Sequence, residues 1–228
     1  MTWELLNSII KSWTNVSVER PFNQLQAKEL LEGSKESLNL TIPDLETATL
    51  ALLELRMRSS SRAQGAAKEI ECAIQDVGHQ PINWLMQARK NLQLLEYQEM
   101  PNDQYTNSIY VILRDGYTEQ NGRYGIYVGE TSKTVDERFN QHLNGVNAGQ
   151  GLPEHGMQLM HSLMWPWQKV RGAKRLLYES ALHKALELNN INGPKISGNA
   201  LAIDKWPEGF QTTLQRKLQE GDGYGTRQ

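Results

Sequence analysis

The chain has 228 residues, enough for one large or two modest domains and for a sizeable buried core. Its 24 basic and 26 acidic side chains give a formal net charge of −2, which excludes the blanket basicity of a chain that coats nucleic acid but leaves room for a local basic face. No apolar run reaches the roughly 18 residues a membrane span needs. Glu4 stands where a secretion signal carries basic residues, and one cysteine, Cys72, excludes a disulfide framework or a multi-cysteine zinc site. These features predict a soluble, cytoplasmic protein.

Residues 1–102 read as an all-helical domain. Thr41-Ile42-Pro43-Asp44 predicts a helix entry with Thr41 as N-cap and a proline in the first turn. Leu45, Ala48, Leu52 and Leu55 follow at helical spacing, with Leu50, Leu53 and Met57 widening the stripe. A second helix is predicted from Arg62 to Val77, ended by Gly78, with Ala66, Ile70, Ala73 and Val77 on one face. A third runs from Ile82 to Glu96 and carries Leu85, Ala88 and Leu92. With 13 acidic and 10 basic residues over positions 1–100, this half offers no basic stripe. DNA targeting, oligomerisation and partner docking stay open as its roles.

The character changes at Met100-Pro101-Asn102-Asp103, and residues 103–220 form the second predicted domain. Ser108–Leu113 and Tyr124–Gly129 are β-branched and aromatic runs separated by Gly and Asn turn signals, which predicts an antiparallel hairpin. Alternation puts Ile109, Val111, Leu113, Ile126 and Val128 on one face and Tyr110 and Tyr127 on the other. A symmetric closure about Thr118 and Glu119 would set the two tyrosines directly opposite each other. Val135–Asn144 reads as a helix with Arg138 and His142 one turn apart. Trp167–Val170 is the predicted third strand. Ala173–Leu188 is a strong helix with Leu176, Leu177, Ala181 and Leu182 buried and Glu179 and Lys184 polar. Gly193-Pro194 ends it, Asn199 follows Gly198, and residues 221–228 are expected to be disordered.

Two tyrosines on one sheet face, an Arg/His pair on one helix, a later helical glutamate and a late asparagine resemble the GIY-YIG nuclease family. The literal string Gly125-Ile126-Tyr127 overlaps the second motif; the first falls on Ser108-Ile109-Tyr110, with serine in place of glycine, and the second on Tyr127-Val128-Gly129. The family's arginine and histidine match Arg138 and His142, its glutamate matches Glu179, and its asparagine matches Asn199. The likeness covers roughly residues 107–203, and any one of its motifs alone is weak. It departs from the pattern in a long hairpin loop and a longer approach to Arg138.

The resemblance implies an α/β (α+β) domain with a three-stranded antiparallel sheet flanked by helices. It also implies metal-dependent DNA cleavage to 5′-phosphate and 3′-hydroxyl ends. Glu179 would hold Mg²⁺ (or Mn²⁺), a hard cation content with one carboxylate and several waters. Arg138 would donate to the non-bridging phosphate oxygens. The resemblance favours Tyr110 over Tyr127 as the base that takes a proton from water, a role its ordinary pKa near 10 resists unless a positive charge lowers it. His142 would relay that proton or touch the phosphate, and Asn199 would hold the site's geometry. Lys169, Arg171, Lys174 and Arg175 form the densest basic stretch, a candidate track for the DNA backbone, with Trp165 and Trp167 nearby as possible stacking groups. His155, His161 and His183 lack metal-ligand spacing, and no Walker-type phosphate loop occurs. A restriction-like, sequence-specific enzyme is the leading expectation. A structure-specific repair nuclease and an inactive nucleic-acid-binding scaffold are its competitors. Because one such site cuts one strand, a homodimer is a further expectation.

Overall fold

The computed structural model describes residues 2–12, 20–92, 104–116, 124–164, 169–187 and 196–199. The third helix beyond Leu92, the hairpin loop, Trp165, Trp167, Gly193-Pro194 and the 221–228 tail all lie outside them. The chain forms two compact units, Met1–Leu85 and Met86–Gln228.

The first unit is helical: α1 (Thr2–Lys11), α2 (Ala27–Leu38), α3 (Leu45–Arg56) and α4 (Ser61–Asp76). Helix α3 is its centre, with Leu45, Ala48, Leu52 and Leu55 all at 0 % exposure. The helix does not start at Thr41. Asp44 is the N-cap, accepting from the Thr47 N–H at 3.1 Å and from the Thr47 hydroxyl at 2.6 Å. An aspartate satisfies the orphan amides at its own position, so the proline ahead of it stays outside the helix. Met57 is exposed rather than buried. In α4, capped by Ser60, the buried stripe is Ala63, Ala66, Ala67, Ile70 and Ile74; Ala73 and Val77 sit at its margin. Gly78 ends it at a φ of 79°, a conformation glycine adopts without strain. Glu54, almost fully buried, is gripped by Arg20 at 2.7 and 2.9 Å and by Arg58 at 2.8 Å.

Helix α5 (Leu85–Leu92) starts three residues later than its pattern suggests. In the second unit, β1 (Ser108–Asp115) and β2 (Tyr124–Thr131) pair antiparallel. Next come α6 (Val135–Leu143), the single-turn α7 (Leu152–His155), β3 (Gly156–Leu159), α8 (Arg175–Glu187) and β4 (Ile196–Ser197). Among the described residues the sheet has four strands, in the order β3-β1-β2-β4, rather than the expected three. The third strand is β3, antiparallel to β1 with a bulge between Leu113 and Arg114. Val170, by contrast, makes a single bridge to Asn107, while Trp167 and Gln168 lie outside the described residues. β4 joins β2 in parallel, so the sheet is mixed. Helix α8 packs on β2 and β1. Within it Leu176 is exposed and Glu179 is 1 % exposed, the reverse of the expected pattern. Among the described residues no helix is long and apolar enough to cross a membrane.

Candidate active site

The strand register decides how the two tyrosines meet. Tyr110 faces Gly129, and Tyr127 faces Ile112. The tyrosines are therefore diagonal rather than opposite, two residues away from the symmetric closure. A slip of two keeps both on the same face, because side chains alternate with a period of two. Gly129 is the reason the arrangement fits. A Cβ there would lie 2.5 Å from the Tyr110 hydroxyl and 2.7 Å from Cε1 of Tyr127. The vacated space lets the rings approach to a centroid distance of 6.2 Å.

Helix α6 brings the next two groups. Thr134 caps it and Glu137 reaches back to the Thr134 N–H at 3.0 Å, a reciprocal capping box. That start places Arg138 and His142 one turn apart. His142 is fully buried, with Nε2 at 2.7 Å from the Tyr110 hydroxyl. The Gly149 N–H donates to Nδ1 at 3.1 Å. A neutral imidazole that accepts at Nδ1 carries its proton on Nε2, so His142 donates to the Tyr110 oxygen. Burial, with the Arg138 charge beside it, lowers the His142 pKa to about 4. The ring is neutral at physiological pH. Both its nitrogens are engaged inside the protein, which leaves neither for a phosphate. Tyr127 packs edge-on against the same imidazole at 5.4 Å.

Arg138 is half-buried and donates to the Asn147 carbonyl at 2.9 Å. Burial and the neighbouring Tyr127 hold the Tyr110 phenol above its ordinary value, and the nearby Arg138 guanidinium draws it part of the way back down. Burial likewise raises Tyr127, joined by the charge of Glu179 and opposed by Tyr110, Arg138 and Arg114. Arg114, at 0 % exposure, shares the tyrosine face of β1.

Glu179 reaches the cluster from α8. Its Oε1 accepts from the Asn199 N–H at 3.3 Å, and its Oε2 is buried with no hydrogen-bond partner. Burial raises its pKa to about 7; the Asn199 amide opposes this, the Glu130 charge adds to it, and Arg175 opposes it. Asn199 thus acts through its backbone. Gly198 just before it has a φ of 134°, and a Cβ there would collide with the Val128 carbonyl. Tyr110, Tyr127 and His142 are in mutual contact with Arg138 beside them, while Glu179 and Asn199 form a bonded pair whose charge acts on Tyr127.

The basic stretch behaves differently. Lys169 and Arg171 are exposed, Lys174 sits in a short 3₁₀ turn, and Arg175 turns toward the site, pairing with Glu130 at 3.2 Å. Beside Arg138 opens a polar cleft of about 410 Å³, lined among others by Asn107, Glu130, Lys133 and Arg175. Glu130, Lys133, Gly149 and Arg114 are site residues that motif spacing does not reveal. Arg114 had a signal: it lies four positions after Tyr110 on the same strand face. Glu130 pairs with a residue 45 positions away and had none.

Among the described residues no group of three or more His, Cys, Asp or Glu could hold a metal ion. A hard cation that keeps most of its waters needs only one or two carboxylates. The unpartnered, buried Oε2 of Glu179 fits that demand. No family model, no curated protein and no solved structure matches the chain.

Proposed function

We propose that the chain is a metal-dependent DNA endonuclease of the GIY-YIG type. One observation carries the reading: a phenol and an imidazole in hydrogen-bond contact, with a guanidinium and a carboxylate whose charges act on the same tyrosine pair, come together from three separate elements beside an open polar cleft. In this reading Glu179 holds Mg²⁺ or Mn²⁺, which when bound would neutralise charge on the leaving 3′ oxygen. Arg138, which lines the cleft while held by the Val146 and Asn147 carbonyls, donates to the non-bridging phosphate oxygens. Tyr110 acts as a phenolate, its own proton lost to solvent beforehand, and takes the proton of the attacking water to become the phenol again. Before that transfer the Nε2–H of His142 donates to the phenolate oxygen and the nearby Arg138 charge favours it. Neutral His142 thus steadies the phenolate instead of accepting its proton. Tyr127 orients the water or phosphate, and the Asn199 amide fixes Glu179.

The phenol's raised pKa requires positive charge at the Glu179 end before it can act near neutral pH. Cleavage is therefore expected to accelerate with pH through the neutral range. The products are 5′-phosphate and 3′-hydroxyl ends, and a double-strand cut would take a second copy of the chain or a second visit. The test is nicking of supercoiled plasmid with Mg²⁺ or Mn²⁺, with and without chelator, by wild type and Glu179→Ala. Nicking by wild type alone, abolished by chelator, is expected; equal nicking by both proteins, or none by either, ends the proposal. Random duplex against branched or nicked DNA separates a restriction-like enzyme from a repair nuclease.

A further inference from the structure

We propose that the cation site is held by two carboxylates, Glu179 and Glu130, and that Arg175 occupies the cation's place until it binds. The proposal rests on the nuclease reading for its context but stands on its own geometry. Arg175 and Glu179 lie one turn apart on α8, so they project from the same side of the helix. Both act on one strand residue, Glu130 near the end of β2. Arg175 Nε pairs with Glu130 Oε1 at 3.2 Å, and the Glu130 charge is felt at Glu179. Glu179 is 1 % exposed and its Oε2 has no hydrogen-bond partner. A carboxylate oxygen removed from water with nothing to accept is costly, and a second carboxylate beside it adds to the cost.

Charge counting points to what is missing. With both carboxylates ionised, as a bound cation requires, one guanidinium would leave one negative charge uncompensated. A divalent cation balances both. Mg²⁺ and Mn²⁺ are suited to such a site, since they accept one or two carboxylates and fill the remaining positions with water. Binding would displace Arg175 from Glu130. Arg175 already lines the cleft with Arg138 and Lys133, so the released fork stays where a phosphate would lie, and a fork is well matched to phosphate oxygens. Loading the cation and arming the phosphate grip thus become one event. The lone-glutamate arrangement implied by the sequence resemblance has no such coupling.

The test is direct Mn²⁺ binding to the full chain without DNA, read from the loss of the free-ion electron paramagnetic resonance signal at slightly alkaline pH. Glu130→Gln is expected to weaken binding by roughly tenfold or more, on the scale of ligand-shell losses in other metal sites. Arg175→Gln is expected to tighten it, because the resident competitor is gone, and Glu179→Gln to abolish it. Glu130→Asp, which keeps the charge, is expected to retain part of the affinity and guards against a folding artefact. Wild-type affinity in Glu130→Gln, weaker binding in Arg175→Gln, or no binding by wild type overturns the proposal. If the wild type nicks DNA while Glu130→Gln binds Mn²⁺ normally, this site fails and the nuclease reading survives. If binding follows the expected order without any nicking, the nuclease reading fails and the site survives.

Discussion

Replacing Glu179 by glutamine is expected to stabilise the metal-free protein increasingly as pH rises above about 4.5, and fully above about 7. Folding raises the Glu179 pKa from its ordinary 4.5 to about 7. Below pH 4.5 the carboxyl is protonated in both folded and unfolded chains and contributes nothing to the pH dependence. Between 4.5 and 7 the unfolded chain gives up its proton while the folded one keeps it, so stability falls as pH rises. Above about 7 the loss is complete. At 1.36 kcal/mol per pKa unit, the full cost is about 3 kcal/mol. A glutamine keeps the shape and the acceptor for the Asn199 amide but never ionises. Thermal melting in chelator checks this. At pH 8 the variant is expected to melt higher by roughly 10 °C, at about 2–4 °C per kcal/mol for a chain of this size. Near pH 4.5 the two proteins should melt within about 1 kcal/mol of each other. Added Mg²⁺ at pH 8 should close the gap by raising wild type alone. Equal melting at both pH values, or a gap that does not change with pH, would refute the reasoning.

Gly129→Ala is expected to cost about 1–3 kcal/mol by overpacking, with loss of nicking, because its methyl has no room between Tyr110 and Tyr127; melting and near-ultraviolet circular dichroism report it. Nitrogen-15 shifts of His142 should show a neutral ring with its proton on Nε2 down to about pH 4. Folding lowers this pKa, so the ring's share of stability is present above its ordinary 6.5 and drains away as pH falls toward 4, opposite in sign to Glu179. A proton found on Nδ1 would reverse the assigned polarity of the His142–Tyr110 bond. Asp44→Ala is expected to cost about 1–2 kcal/mol through the lost cap of α3 and to change Trp3 fluorescence, since Asp44 also accepts from the Trp3 indole at 3.0 Å; unchanged emission would discount that bond.

Local signals in the chain were legible because local physics sets them. Thr134 and Glu137 three residues apart fix the start of α6, and with it the side from which Arg138 and His142 project. Gly78 marks the end of α4 for the same kind of reason. Alternation sorted the two faces of the hairpin correctly. The pairing did not follow from it, because loop symmetry is no substitute for the fit of Tyr110 over a residue without a side chain. The four residues of β3, containing one glycine and one glutamine, carry too little pattern to announce a strand. Glu179 was legible as a polar helix position and a candidate cation ligand, but its near-complete burial was not, because only the folded chain closes strands and helix over it. The Glu130–Arg175 pair joins positions 45 apart, a distance at which only the folded chain brings charges together.

β4 contributes two residues to the sheet, yet the turn behind it delivers the one amide that Glu179 accepts from. A ribosome making this chain has synthesised the hairpin, α6 and α8 before that turn exists. Nascent protein therefore carries every acidic and aromatic group of the cluster while its buried carboxylate is still untethered. Completion waits on the latest-made strand, a built-in delay before the cluster can take its finished form.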